Sequence, residues 1–210
     1  MVELLNVKKS YGNYAVIDIP QIHLNHNIYW LKGMNGSGKT TLMKLIAGLL
    51  PFQGDVLING NISIRKNRVA YLRLVNYAEA EPLFPPFLTG YDLIELFVKT
   101  KNALQPQAEE LISSFGVSSF INNPLGTYSS GMLKKLSLIL AFIGNAKLIL
   151  LDEPLVTIDD KTVPIVTKLI SDYYNIRGIT FLLTSHQIFD ASAFPDAQQL
   201  LMQEKGVQFV

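Results

Sequence analysis

Gly33-Met34-Asn35-Gly36-Ser37-Gly38-Lys39-Thr40 is the stretch on which the reading of this chain turns. It fits the pattern G-x-x-x-x-G-K-[ST] without exception. Upstream, Ile28 to Leu31 is a short apolar run that reads as a buried strand leading into the glycines. Downstream, Leu42, Leu45, Ile46 and Leu49 recur at helical spacing between Thr40 and Leu50, and Pro51 stops the run. Strand, glycine loop, helix is the order that a phosphate-binding loop requires. Glycines let the backbone wrap so that its N–H groups point inward, and the helix beginning near Thr40 adds the positive end of its dipole. Nucleotide contacts are therefore expected from Asn35, Gly36, Ser37, Gly38, Lys39, Thr40 and Thr41. Lys39 is placed at the β- and γ-phosphates, and the Thr40 hydroxyl on Mg²⁺.

A second stretch completes this chemistry. Leu148-Ile149-Leu150-Leu151-Asp152-Glu153 is an apolar strand ending in two carboxylates, which puts both acids at the carboxyl edge of a sheet, where α/β folds bind ligands. Asp152 is expected to hold the Mg²⁺ shell. Glu153 is expected to polarise the attacking water, because loose phosphoryl transfer needs positioning more than strong base chemistry. A solvated acidic turn would be the better reading of this pair alone; after a complete phosphate loop the functional reading outweighs it.

The remaining elements follow from pattern. Val2 to Val7 and Ala15 to Ile19 read as strands around a turn at Ser10 to Asn13, and Asp55 to Ile58 and Ile62 to Ile64 flank Asn59-Gly60, which favours a two-residue hairpin. Val69 to Val75 is predicted to return to the main sheet as a strand. Tyr91 to Lys99, Gln107 to Phe115 and Gly131 to Ile143 read as helices of a lobe spanning Pro82 to Ala146. Beyond it come the strand at Leu148, a helix from Thr162 to Tyr174 with Pro164 tolerated in its first turn, and a strand from Ile179 to Thr184. The class predicted is α/β, with a strand-rich opening and a helical insert.

Composition narrows the partners. The chain has 210 residues with 18 Lys+Arg against 17 Asp+Glu, a formal charge of +1, and the basic residues are scattered, so the footprint of a nucleic-acid binder is missing. Cysteine is absent, which removes disulfides and thiolate metal sites and leaves a cytoplasmic location as the expectation. Met1 to Ser10 lacks the apolar core of a signal peptide, and no apolar run approaches the roughly 20 residues that a membrane span needs. A mean hydropathy of +0.24 is nonetheless high, and fits either a Leu/Ile-rich core or apolar surface covered by a partner.

Between the two sites lies Tyr128-Ser129-Ser130-Gly131-Met132, immediately ahead of the helix carrying Leu136, Leu140 and Ile143 on one face. With this stretch the order of motifs resembles the ABC ATPases from Tyr11 to His186: phosphate loop, helical lobe, a signature of the Leu-Ser-Gly-Gly-Gln type, an Asp-Glu pair, then a His after a strand. The resemblance implies a P-loop NTPase (RecA-like) core with an antiparallel β portion at 1–77 and 147–210, and a helical subdomain at 78–146. It implies that Ser129, Ser130 and Gly131 act on the γ-phosphate held by a second subunit. Ser129 is also an ordinary helix cap, and both roles can hold together. Thr157-Ile158-Asp159 stands at the place of the D-loop, where Asp159 doubles as a candidate cap. His186 matches the switch histidine, and Tyr11 the aromatic that stacks on adenine.

Two departures carry weight. Tyr128, Ser130 and Met132 differ from the fullest signature, and Tyr77-Ala78-Glu79-Ala80-Glu81-Pro82 contains no Gln where the family has one near Mg²⁺; Ala80 or Glu81 takes its place, and a Glu81 carboxylate reaches a metal shell through water. Leu83 to Leu88 is an apolar, proline-stiffened run near where family members receive a short helix of their membrane subunit, and reads either as a docking groove or as packing within the lobe. The resemblance implies an ATP-hydrolysing subunit with catalytic Lys39, Glu153 and His186, using ATP and Mg²⁺. It would work head to tail with a second nucleotide-binding subunit and power a separate transmembrane permease, in an exporter. The rivals are a regulatory subunit with weak hydrolysis and a soluble ATPase of the DNA-repair branch; the second needs a coiled coil or a basic surface, and neither is present.

Overall fold

The computed structural model describes residues 1–184 and 194–210. The chain opens with β1 (Val2–Tyr11) and β2 (Tyr14–Leu24), an antiparallel hairpin closed by Gly12 and Asn13. β3 (Ile28–Lys32) leads through the glycine loop into α1 (Lys39–Ile46). β4 (Gln53–Ile58) and β5 (Ile62–Ser63) then return to the first hairpin, giving a four-stranded sheet in the order β2-β1-β4-β5. Asn59 and Gly60 both take positive φ, as a tight hairpin requires, but Ile58 pairs with Ile62, so Asn61 adds a third loop residue.

The segment expected as a strand at Val69 to Val75 is instead α2 (Arg68–Leu74), followed by β6 (Val75–Ala78). Alternating apolar residues in so short a run fit either element. Here only Tyr71 is buried, and its hydroxyl donates to the Ile46 carbonyl at 2.8 Å, a tertiary bond that a strand register would not deliver.

Three helices follow: α3 (Gly90–Thr100), α4 (Gln105–Ser114) and α5 (Ser130–Phe142). Thr89 starts α3 with a capping box to Asp92, and Pro106 occupies the first turn of α4, where its missing N–H costs nothing. β7 (Leu148–Asp152), α6 (Val163–Arg177) and β8 (Thr180–Thr184) come next, then β9 (Gln198–Gln203) and β10 (Gly206–Phe209). The main sheet runs β10-β9-β3-β8-β7-β6, parallel except for β10.

β7 and β8 are buried along their whole length, as central parallel strands covered on both faces must be. The two-residue period of β7 divides its side chains between two cores. Ile149 and Leu151 join Leu138, Phe142 and Phe181 beneath α5, whereas Leu148 and Leu150 join Leu4, Ile17, Leu45 and Val56 between the two sheets. Among the described residues no helix is long and apolar enough to cross a membrane.

Candidate nucleotide site

A cavity of about 460 Å³ opens at the carboxyl edge of the main sheet, and its lining gathers residues from three distant stretches of sequence. Asn35, Gly36, Gly38, Lys39, Thr40 and Thr41 come from the glycine loop and the start of α1, Asp152 and Glu153 from the end of β7, and Tyr11 and Val16 from the first hairpin.

The loop is shaped by what packs behind it. Gly38 precedes α1 at φ 105°, and a Cβ there would come 2.9 Å from Met202 Cε on β9 and 3.1 Å from Val16 Cγ1. A Cβ on Gly33 would meet the Ser37 hydroxyl oxygen at 2.7 Å and the Met202 carbonyl at 2.8 Å. Both positions therefore need glycine for backbone angle and for space. The N-cap of α1 is Gly38, which has no side chain to offer, so among the described residues the first N–H groups of the helix are open to an anion. Lys39 lies along the loop, its ammonium donating to the carbonyls of Gly33 at 2.7 Å and Met34 at 3.1 Å.

Asp152 is held on both carboxylate oxygens. Thr184 donates its hydroxyl proton to one at 2.5 Å and Tyr77 donates to the other at 3.2 Å. Burial, and then the charge of Asp152, push the Tyr77 phenol above its ordinary range, so it stays a donor. Glu153 is a non-glycine residue in the left-handed region at φ 47°, and its N–H donates to the Thr184 carbonyl at 3.2 Å and hydroxyl oxygen at 3.0 Å. Backbone strain of this kind persists only where the surroundings fix it, and here Thr184 does so. Thr184 and Tyr77 were missed in the sequence; the register Asp152 to Thr184, fixed only by the sheet, is what brings the threonine to the acids.

Ser129, Ser130 and Gly131 lie elsewhere and do not line the cavity. Ser129 caps α5, its hydroxyl oxygen accepting from the Met132 N–H at 3.3 Å, and both serines are exposed. A Cβ on Gly131 would come 2.7 Å from the Thr157 carbonyl oxygen, so the chain before α6 presses directly on this turn. Asp159 bridges the same two pieces. One carboxylate oxygen meets the Lys135 ammonium at 2.7 Å, and the other accepts from the Thr162 N–H at 2.9 Å and hydroxyl at 2.6 Å. The bond from Lys135, then that from the Thr162 hydroxyl, holds the Asp159 carboxyl down at about 2.

Tyr11 lines the cavity half-exposed, with the Lys9 ammonium 4.9 Å from its ring centre. Neither Ala80 nor Glu81 lines it, and Glu81 is exposed to solvent, so the metal contact expected of Glu81 finds no support in the geometry. His186 lies outside the described residues. A second cavity, of about 510 Å³, runs between α2, α3, α5 and the chain just after α1; Leu49, Val69, Leu83, Phe84 and Phe97 line it together with Arg73, Tyr77 and Lys101. Leu83 is 91% exposed there, whereas Leu88 packs into the core beneath α5, so the run from Leu83 to Leu88 divides between groove and packing.

Comparison with known proteins agrees with this geometry. Residues 23–156 match the family model described as ABC transporter. The lipopolysaccharide export system ATP-binding protein LptB of Haemophilus influenzae is 32% identical over 191 residues, covering 87% of this chain and 79% of its own. The cytochrome c biogenesis ATP-binding export protein CcmA of Legionella pneumophila is 33% identical over 198 residues, covering 89% of this chain and 93% of its own. Among solved structures, an ATP-binding subunit of an ABC transporter matches with a TM-score of 0.87 at 21% identity, covering 99% of this chain and 88% of that one. A dimeric ATP-binding cassette in a post-hydrolysis state bound to ADP and Pi matches at 0.83 and 21%, over 99% and 97%; at these identities both carry the fold alone. With phosphate loop, paired acids and signature turn disposed on this fold, the chain belongs to the ABC transporter family as an ATP-binding subunit, an ATPase.

Proposed function

We propose that two copies of this chain, or this chain and a close relative, pack head to tail, each ATP being held by one phosphate loop and the Ser129 turn of the other subunit. The observation that carries this reading is the convergence of the glycine loop, Asp152, Glu153 and Tyr11 on one cavity, while Ser129 and Ser130 stand exposed outside it. The α1 N–H groups and Lys39 neutralise the phosphates, Tyr11 stacks on adenine, and Ser129 with the N–H groups of α5 reaches the γ-phosphate from the far side.

Mg²⁺ fits the residues present. Thr40 and Asp152 offer hard oxygens, and among the described residues no group of three or more His, Cys, Asp or Glu could hold a metal, so phosphate oxygens would complete the shell. When bound, the ion would offset negative charge on the β- and γ-phosphates. Thr184 and Tyr77 keep the Asp152 carboxylate oriented, and Thr184 fixes the Glu153 backbone so that its carboxylate faces the attacking water. His186 is assigned the γ-phosphate contact on the strength of the motif order.

The apolar groove beside Leu83 and Phe84 would receive a short helix of a separate transmembrane permease, holding the ATPase peripherally at the cytoplasmic face of the membrane. The subdomain 78–146 then carries the groove's rim and the signature turn together. Export is the direction we assign, in keeping with the exporter names of both sequence relatives.

Glu153→Gln tests the reading. It should lower ATP hydrolysis by about a hundredfold or more, keep ATP bound, and elute as a dimer in MgATP. Hydrolysis at the parent rate would favour the regulatory alternative.

A further inference from the structure

Lys134 is fully buried, yet among the described residues no carboxylate forms an ion pair with it. Its ammonium donates to three backbone carbonyls: Glu79 at 2.7 Å, Ala80 at 3.3 Å and Asp152 at 2.8 Å. An ammonium has three donors, so its capacity is used in full on main chain. Those carbonyls lie just past the end of β6 and at the end of β7, the neighbouring parallel strands that deliver Tyr77 and Asp152 to the cavity's edge. The side chain itself belongs to α5, one turn beyond the Ser129 cap.

One buried side chain thus bolts the signature helix to the backbone beneath the acid pair. A methionine would fill similar volume without the desolvation cost of a buried charge, so packing alone gives no reason for lysine here. The field of Asp152, Glu153 and Glu79 favours the charged form, although burial outweighs it and brings the group down to about 8. Asn76 of β6 makes a second polar link, donating to the Ala141 carbonyl near the far end of α5, but at the edge beside the acids the link is carried by Lys134.

We propose that Lys134 is the positioning residue that couples the Ser129 helix to the Asp152–Glu153 edge, so that displacement of one by nucleotide is transmitted to the other through three main-chain hydrogen bonds. The inference rests on the ATPase reading above. In its absence α5 and the ends of β6 and β7 would still pack, through Leu136, Leu138 and Leu151, but would no longer share polar contacts at the catalytic edge.

The test is Lys134→Met, compared with the parent for Mg-free ATP affinity, kcat, KM and melting temperature. We expect kcat to fall at least about tenfold while nucleotide affinity changes less than about threefold, because the phosphate loop is untouched. A kcat within about threefold of the parent would overturn the inference, and so would parallel losses of affinity, kcat and melting temperature, which mark a merely structural lysine. In the parent itself, amide exchange at 79–82 and 129–134 should slow together on adding MgATP; slowing in one segment alone would overturn it without need of a variant. A parent that binds and hydrolyses no ATP would sink the functional reading instead, before the variant is made.

Discussion

The nucleotide cavity and the Ser129 turn are both built at helix N-termini, and they differ in what stands opposite. At α1 no side chain caps the helix, and Asp152, Glu153 and Tyr11 of the same chain close around the space that its N–H groups face. At α5 Ser129 satisfies the Met132 N–H, Ser129 and Ser130 are exposed, and neither shares the cavity. The first arrangement draws its polar groups from one chain. Under the head-to-tail arrangement proposed above, the second acts only when another subunit is brought against it, and a helix cap alone would look the same.

Gly131→Ala gives the largest expected break in this comparison. Its Cβ would meet the Thr157 carbonyl at 2.7 Å and displace the turn from the chain before α6. Hydrolysis should drop about a hundredfold while ATP affinity stays within about threefold. Mixing this protein with Lys39→Ala should restore activity, since each mixed pair contains one intact loop facing one intact turn. No recovery on mixing would show that the turn serves its own chain.

Thr184→Val sharpens the comparison from the other side. It removes the donor to Asp152 and the acceptor for the Glu153 N–H while keeping shape, and should cost about tenfold in kcat and roughly 1–3 kcal/mol in stability. Mixing with Lys39→Ala should bring no recovery, because both substitutions damage the same chain's half of the site and no mixed pair then holds an intact one, while denaturant melts register the stability loss. Recovery of activity on mixing would erase the distinction.

The smallest effect lies in the groove. Burial lowers Lys101 from 10.5 to about 8, and its ammonium donates to the carbonyls of Leu72 and Val75. Because the folded chain releases this proton first, the unfolded chain binds more protons between pH 8 and 10.5, and this group makes stability rise with pH across that window. Lys101→Met should remove the rise, seen as melting curves of parent and variant that diverge above pH 8. Parallel curves would refute the assignment.

How legible each part was in the sequence follows from the range of the forces that define it. The glycine loop, its strand and helix, the Asp-Glu strand and the Ser129 cap are local patterns, and each stands where the spacing put it. The Arg68–Leu74 helix was mistaken for a strand because its identity rests on a tyrosine reaching Ile46 across the core. β9 and β10 went unread: Gln198-Gln199-Leu200-Leu201-Met202-Gln203 has little alternation, and β9 owes its place to parallel pairing with β3. Thr184 and Tyr77 are ordinary residues until sheet register brings them to Asp152, and Lys134 until α5 packs over the strand ends.

Met202 illustrates how far such dependence extends. It does not line the cavity, yet its backbone and thioether form the surface against which Gly33 and Gly38 are cast. A synthetic peptide spanning residues 28–46 would contain every consensus letter and lack the mould that gives the loop its curve. Transplanting that segment into a foreign scaffold would carry phosphate affinity only if a strand edge like β9 travelled with it.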